Sequence, residues 1–404
     1  MNWLKSIYRV WRRESLLVFT DIGVLLFFVA LPLGYPIIYT LIYNPEVVKD
    51  ISTVVVDNSR TAESRELVRA LDATQGIKIV GYAANMGEAK TAMYEKKCYG
   101  VVEIPHDYAK KIGRGEPTVM SFYSDMSLLL RYRQFLFSLT DVRMAETAKI
   151  TAERLSRGGI LTTVVSGLPV NSESFFLGDP TQGFASFVMP GIVVLILQQS
   201  MLLGITMIAG TAADRRRRNR GRDPYEYEGG AVATVLGKTL CYMMIYLPIS
   251  YYILEFIPHM FSLPHVGSFL DYMPMIFVML LATSFLGQTL QVFVRERESS
   301  LLVIVFTSVV FLFLSGLTWP RYAFNKFWLL VSDLIPATFG VESFIRMNGN
   351  DSTLSDLSQY YWGLWGLTAL YFVTAVVLRY FTAKATSSRH LSAASRADTD
   401  ISAS

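Results

Sequence analysis

Charge is scarce in this sequence. Lys, Arg, Asp and Glu make up 17% of the 404 residues, against about 25% in an ordinary soluble chain, which excludes a fully solvated surface. Cysteine is scarcer still. Cys98 lies in a polar stretch and Cys241 in an apolar run, so a bridge between them, a disulfide framework and a Cys/His metal pattern are all excluded. The four histidines (His106, His259, His265 and His390) contain no His-Glu-x-x-His spacing, which removes the metalloprotease reading. Gly237-Lys238-Thr239 looks like the end of a phosphate-binding loop, but that loop needs glycine at position 232, where Val232 stands. No nucleophile–base pair or paired-carboxylate spacing emerges. Nothing points to an enzyme, a metal or a cofactor.

What the chain has is apolar length, 52% hydrophobic residues and 13% aromatics, unevenly laid out. Residues 44–180 hold 17 Lys/Arg and 17 Asp/Glu, the density of a soluble protein. The remaining residues hold 20 and 16, so the excess of +4 lies entirely outside the middle block. A soluble-looking domain is inserted into a membrane protein.

About 20 apolar residues cross the hydrocarbon core as a helix. Six segments qualify: 22–43, 181–213, 239–254 (to 257 if Glu255 sits at the interface), 272–294, 299–319 and 357–378. Tyr39, Tyr43, Trp319, Tyr360, Tyr361 and Trp362 stand at their ends as an interfacial belt. The first span follows a basic segment, as a signal peptide does, but has no small-residue cleavage site at its end and reads as a retained anchor. Basic clusters precede the first span (Lys5, Arg9, Arg12, Arg13) and follow the second (Arg215 to Arg218, Arg220, Arg222), the fourth (Arg295, Arg297) and the sixth (Arg379, Lys384, Arg389). By the positive-inside rule, both termini lie inside and residues 44–180 lie outside. The Arg215–Arg218 run, directly beneath a span, is a topology lock in contact with lipid phosphates and not a nucleic-acid site.

Residues 1–15 pattern as an amphipathic helix on the inner leaflet, with Trp3, Leu4, Ile7, Tyr8 and Trp11 on one face. In the outer block, strands at 51–57, 77–82, 99–104 and 118–123 alternate with helices, one capped by Ser59 or Thr61, which predicts a small α/β unit followed by a long helix over 125–157. Polar residues inside spans are the first functional suspects. Gln198, Gln199, Gln288 and Gln291 are therefore candidates for lining a pathway, with hydrogen bonding inside a packed bundle as the alternative. Pro190 and Pro248 are expected to kink their spans. Between Trp319 and residue 356, two apolar pieces too short to cross, joined at Pro336, predict a re-entrant or interfacial helical hairpin.

This layout resembles the permease subunits of type-2 ABC transporters (the ABC-2 family), in the subgroup with a large outer domain after the first helix. In the outer domain the resemblance rests on Val54-Val55-Val56-Asp57-Asn58-Ser59, Ser64-Arg65-Glu66-Leu67-Val68 and Gly100-Val101-Val102-Glu103-Ile104-Pro105. In the membrane part it rests on Phe187-Val188-Met189-Pro190-Gly191, Gly210-Thr211, Gly237-Lys238, Leu314-Ser315-Gly316 and Pro320. The segment from Pro336 to Arg346, with Glu342, is similar to the family's outer hairpin. The resemblance implies a dimer of permeases, identical or related, with a separate ATPase subunit beneath each half, so two per transporter. It also implies that the helix over 1–15 is an elbow helix and that the turn 210–238 docks on the ATPase. That turn often carries a Glu-Arg-Glu-Arg-Gly-Thr-like sequence in the family. Here it carries Asp214, Arg215, Arg216, Arg217 and Arg218, then Asp223, Glu226 and Glu228. All of these but Glu228, with Gly237, Lys238, Arg295 and Glu296, are the coupling candidates; Pro320, Pro336, Glu342 and Arg346 are the hairpin candidates.

The expected fold class is thus an α-helical polytopic membrane protein. It comprises an elbow helix (1–15), a first span (16–43), an outer α/β domain (44–180), a five-helix region (181–382) holding the turn 210–238 and hairpin 319–356, and a disordered inner tail (383–404). The expected function is export of small hydrophobic or amphipathic compounds across a bacterial inner membrane, with a periplasmic adaptor on the outer domain left open. The competing reading is a non-transporting receptor or assembly scaffold whose outer domain senses.

Overall fold

Asp21 is where the N-terminal helix and the first span part. Helix α1 runs Asn2–Thr20, longer than the 1–15 expected, because Leu16 to Thr20 offer no breaker. The break comes when the Asp21 carboxylate accepts the backbone N–H groups of Gly23 (3.0 Å) and Val24 (3.2 Å), two of the donors a new helix start leaves unsatisfied. The first span, α2, then runs Ile22–Tyr43, with a π-helical turn at Leu26–Ala30. The computed structural model describes residues 2–43, 47–114, 116–158, 183–219, 223, 225 and 230–402. Contacts divide the chain into one unit of Met1–Asn44 with Phe176–Ser404 and a second of Pro45–Phe175.

The inserted, extracytoplasmic unit carries strands β1 (Ile51–Asp57), β2 (Ile77–Tyr82), β3 (Gly100–Ile104) and β4 (Ser121–Ser124) in the order β2-β1-β3-β4. β1 is parallel to β2 and β3, pairing Ile51 with Ile77 and Val54 with Val101, and β4 closes antiparallel on β3. Helices α3 (Ala62–Asp72), α4 (Met86–Tyr94), α5 (Tyr108–Arg114) and α6 (Leu129–Gly158) connect or follow them. Thr61, not Ser59, caps α3, in a reciprocal box with Ser64. Both faces of the sheet are covered, which is why the consecutive Val54, Val55 and Val56 of β1 are all buried. Val55, Leu67, Leu71, Val102, Phe135 and Leu139 form one core, and Val54, Val56, Ala89, Cys98 and Val101 the other. Cys98 is buried, and burial pushes its thiol above the ordinary value, which keeps it unreactive. The segment 159–182, which includes the end of the outer block as read from sequence, lies outside the described residues.

The rest of the membrane unit comprises α7 (Phe184–Arg218), α8 (Ala231–Met260), α9 (Phe269–Phe293) and α10 (Arg297–Leu314). The outer pair α11 (Lys326–Ser332) and α12 (Pro336–Asn350) follows, then α13 (Ser358–Ser402), whose part Ser358–Lys384 is the sixth span. Among the described residues, six helices are therefore long and apolar enough to cross a membrane, and α11 and α12 bend by 88° as a re-entrant hairpin would. Helix α7 is the most buried of the six, packed on α2, α9, α10 and α12. Phe28 of α2 meets Tyr246 (4.8 Å) and Tyr242 (5.6 Å) of α8 edge-to-face, which fixes the first span against the third. Pro248 in α8 is followed at once by a π-helical turn, Tyr252–Phe256.

Two expectations are corrected. The four arginines after the second span do not lie on a turn: α7 continues through Arg218, because Ala209, Ala212, Ala213 and arginine are good helix formers and cations suit a helix C-terminus. The tail expected to be disordered from 383 instead continues α13 to Ser402, in a stretch holding Ala383, Ala385, Ala393 and Ala394.

Candidate functional site

The polar residues of the inner face converge. Helix α1 lays Val10, Glu14 and Val18, spaced four apart on one stripe, into the bundle, while Trp3, Leu4 and Tyr8 stay exposed. It approaches α8 closely at Gly237. A Cβ there would lie 2.7 Å from Val10 Cβ and 2.9 Å from the Ile7 carbonyl oxygen, so only glycine lets the two helices meet.

One turn along, the fully buried Glu14 carboxylate lies 3.5 Å from Lys238 Nζ and accepts the Tyr242 hydroxyl. Lys238 also donates to Gln291 Oε1 (3.3 Å). A buried ion pair is tolerated only when further hydrogen bonds satisfy both groups, and Tyr242 and Gln291 supply them. Gly237 and Lys238, expected on the docking turn, therefore sit beneath α1. Gln291, expected on a pathway, belongs to this inner cluster.

Asp21 extends the array. Besides capping α2 it accepts Arg297 Nη2 (2.7 Å) and Thr211 Oγ1 (3.3 Å), so the α1–α2 break is tied to α7 and to the start of α10. Gly210 permits this, since a Cβ there would stand 2.7 Å from Arg297 Cα. Arg217 and Glu296 form an exposed pair at 2.6 Å, and Arg215 grips Asp223 through two nitrogens (3.0 and 3.3 Å) while its guanidinium lies over Tyr225. Asp214 is half-buried and Arg218 and Arg295 are exposed; Arg220, Arg222, Glu226 and Glu228 lie outside the described residues. Between α1, α7, α8, α9 and α13 a cavity of about 150 Å³ opens, lined in part by Glu14, Arg215, Arg216, Asp223, Lys238 and Arg379.

Sequence reasoning missed Glu14, Asp21, Tyr242 and Arg379. The available signal was that Glu14 and Asp21 are the only acids before residue 46, in a segment otherwise basic or apolar.

The other glutamines do not join this array. Gln198 accepts the Ala337 N–H (2.7 Å) at the start of α12, and Gln288 donates to Thr239 Oγ1 (2.8 Å). Both amide ends of Gln199 are buried without a hydrogen-bond partner among the described residues. At the outer end, Pro336 opens α12 and Pro320 precedes a short turn. Glu342 accepts Arg321 (2.9 Å), Arg346 (2.7 Å) and the Tyr360 hydroxyl (2.8 Å), which binds the hairpin to the sixth span. Among the described residues no group of three or more His, Cys, Asp and Glu could hold a metal ion.

A family model described as ABC-2 family transporter protein matches residues 22–377, from the first residue of α2 into the sixth span. No curated protein matches the chain.

Proposed function

The chain belongs to the ABC-2 family of membrane transport permeases, and from that premise we propose that it is the membrane-spanning subunit of an ATP-driven exporter in a bacterial inner membrane. It works as a dimer, with a partner ATPase beneath each half and small hydrophobic or amphipathic compounds as cargo. The observation that carries this reading is the inner-face array. On a chain without a phosphate-binding loop, Glu14–Lys238 and Asp21–Arg297 link the elbow helix and the break after it to α8 and α10, and Arg217–Glu296 links α7 to the turn before α10. A push on either turn is thereby delivered to α1, α7, α8 and α10 together, which is what ATP-driven rocking of a helical bundle requires. The exposed charges Arg217, Arg218, Arg295 and Glu296 are the surface offered to the ATPase, and the hairpin locked by Glu342 covers the outer end of the path between the dimer halves. Gln199, the glutamine with neither amide end satisfied, is the pathway candidate we favour.

The test is purification from native membranes in mild detergent with a mass inventory of what remains bound. Stoichiometric retention of an ATPase subunit is expected, weakened in Arg217→Glu. A chain that purifies without any ATPase from membranes containing one supports instead the receptor or scaffold reading, with the inserted α/β unit as its sensing part.

A further inference from the structure

The sheet of the inserted unit has two edges, and they differ. At β2 the Asp72 carboxylate of α3 accepts the Ile79 N–H (2.8 Å) and Lys78 stands exposed beside it, the kind of protection that keeps an edge from pairing with another chain. β4 has none of this. Residues 118–124 contain no charge and no proline, and β4 pairs with β3 without a bulge. The ladder decides which backbone groups face out. The Asp125 N–H donates to the Tyr99 carbonyl (2.9 Å) in the β3–β4 register, so Ser121, Tyr123 and Asp125 turn their backbone groups toward β3. By the alternation of an antiparallel strand, Met120, Phe122 and Ser124 turn theirs to the free side, where no described strand lies. Val119, Phe122, Tyr123 and Met126 are exposed along the same edge.

We propose that β4 pairs edge to edge with β4 of a second copy of this chain, antiparallel, so that two inserted units share one continuous sheet. A strand without charge lies against its own image with no like-charge repulsion, and antiparallel pairing of identical strands is a self-complementary contact of the kind a two-fold dimer makes. Centred on Phe122, the pair sets Met120 opposite Ser124, so every outward residue finds a partner, and it sets Asp125 opposite Val119 rather than opposite another acid. A strand of four residues falls far short of the roughly 1,200–2,000 Å² that free proteins bury to associate. It suffices between chains already held together, where a second contact forms at a millimolar effective concentration. The inference therefore rests on the dimer reading above for its second chain.

The test is cysteine cross-linking of the full chain in its own membranes under mild oxidation, with the buried Cys98 and Cys241 left in place. Native mass spectrometry reports separately whether the chain is dimeric. Opposite residues of a hydrogen-bonded antiparallel pair hold their Cα atoms ~5.5 Å apart, within the span of a disulfide. Phe122→Cys should therefore cross-link to itself at least about tenfold faster than Tyr94→Cys, which is more exposed but sits on α4. Met120→Cys and Ser124→Cys chains expressed together should cross-link with each other and neither with itself, a result that does not depend on Phe122. A dimer in which Phe122→Cys is no faster than Tyr94→Cys and the mixed pair stays apart overturns the edge contact and leaves the dimer reading intact. A chain that is monomeric throughout overturns both. Cross-linking of Phe122→Cys to a different polypeptide overturns the second copy as the occupant of the edge.

Discussion

Replacing Glu14 by Gln should destabilise the membrane unit far more than a one-atom change suggests. Glu14 is fully buried and 3.5 Å from Lys238 Nζ; at an effective dielectric of about 20 that separation corresponds to roughly 5 kcal/mol of attraction. The variant keeps the shape of the side chain but leaves the Lys238 charge buried beside Arg216 and Arg379. Removing one partner of a buried pair costs about 3–5 kcal/mol, and the remaining Gln291 contact places the expected loss near the lower end, ~3 kcal/mol. Removing both charges in Glu14→Gln/Lys238→Met should bring stability back to within ~1 kcal/mol of the parent, because no uncompensated charge remains. The assay is a double-mutant cycle on unfolding in a fixed detergent. Additive single losses, or a Glu14→Gln variant as stable as the parent, would refute a buried, mutually dependent pair.

Further expectations concern helix contacts and the hairpin. Gly237→Ala drives a methyl into Val10 and should cost about 1–3 kcal/mol as overpacking; Val10→Ala in the same chain should recover part of the loss in a thermal scan. Gln198→Leu strands the Ala337 N–H at the start of α12 and should cost about 1–3 kcal/mol, read as faster proteolysis of the α11–α12 segment. Glu342→Gln removes the carboxylate shared by Arg321, Arg346 and Tyr360 and should loosen the same hairpin, seen as faster hydrogen exchange over residues 336–350 with α1 unaffected. Thr61→Ala should lower the stability of the inserted unit by ~1 kcal/mol, the usual worth of an N-cap, without shifting the unfolding of the membrane unit.

Much of the fold was legible because the signals were periodic and long. Continuous apolar runs and one-sided arginines marked all six spans, and the β-branched segments around Val54 and Val101 marked strands covered on both faces. Boundaries were legible only where a side chain decides them locally, as Thr61 does. The end of α1 depends on what Asp21 caps, and the end of α7 on arginines that read equally well as turn or helix. The site was harder to see. Nothing in the composition places Glu14, and only the close approach at Gly237 shows that it is buried against a lysine more than two hundred residues away in sequence. The glutamines part company for the same reason: Gln198 caps a hairpin, Gln288 bonds within the bundle, Gln291 joins Lys238 and Gln199 stays the pathway candidate, and spacing along the chain carries no record of those partners.

Coupling between this inner face and a separate ATPase is tested most directly by ATP hydrolysis in vesicles holding the permease and its co-purified ATPase. Hydrolysis should be stimulated by the parent chain. It should lose most of that stimulation in Arg217→Glu and in Glu296→Arg, since these exposed charges of α7 and of the turn before α10 are the surface offered to the ATPase. Hydrolysis that is the same with the parent, with either variant and with no permease at all would contradict the coupling role assigned to this face.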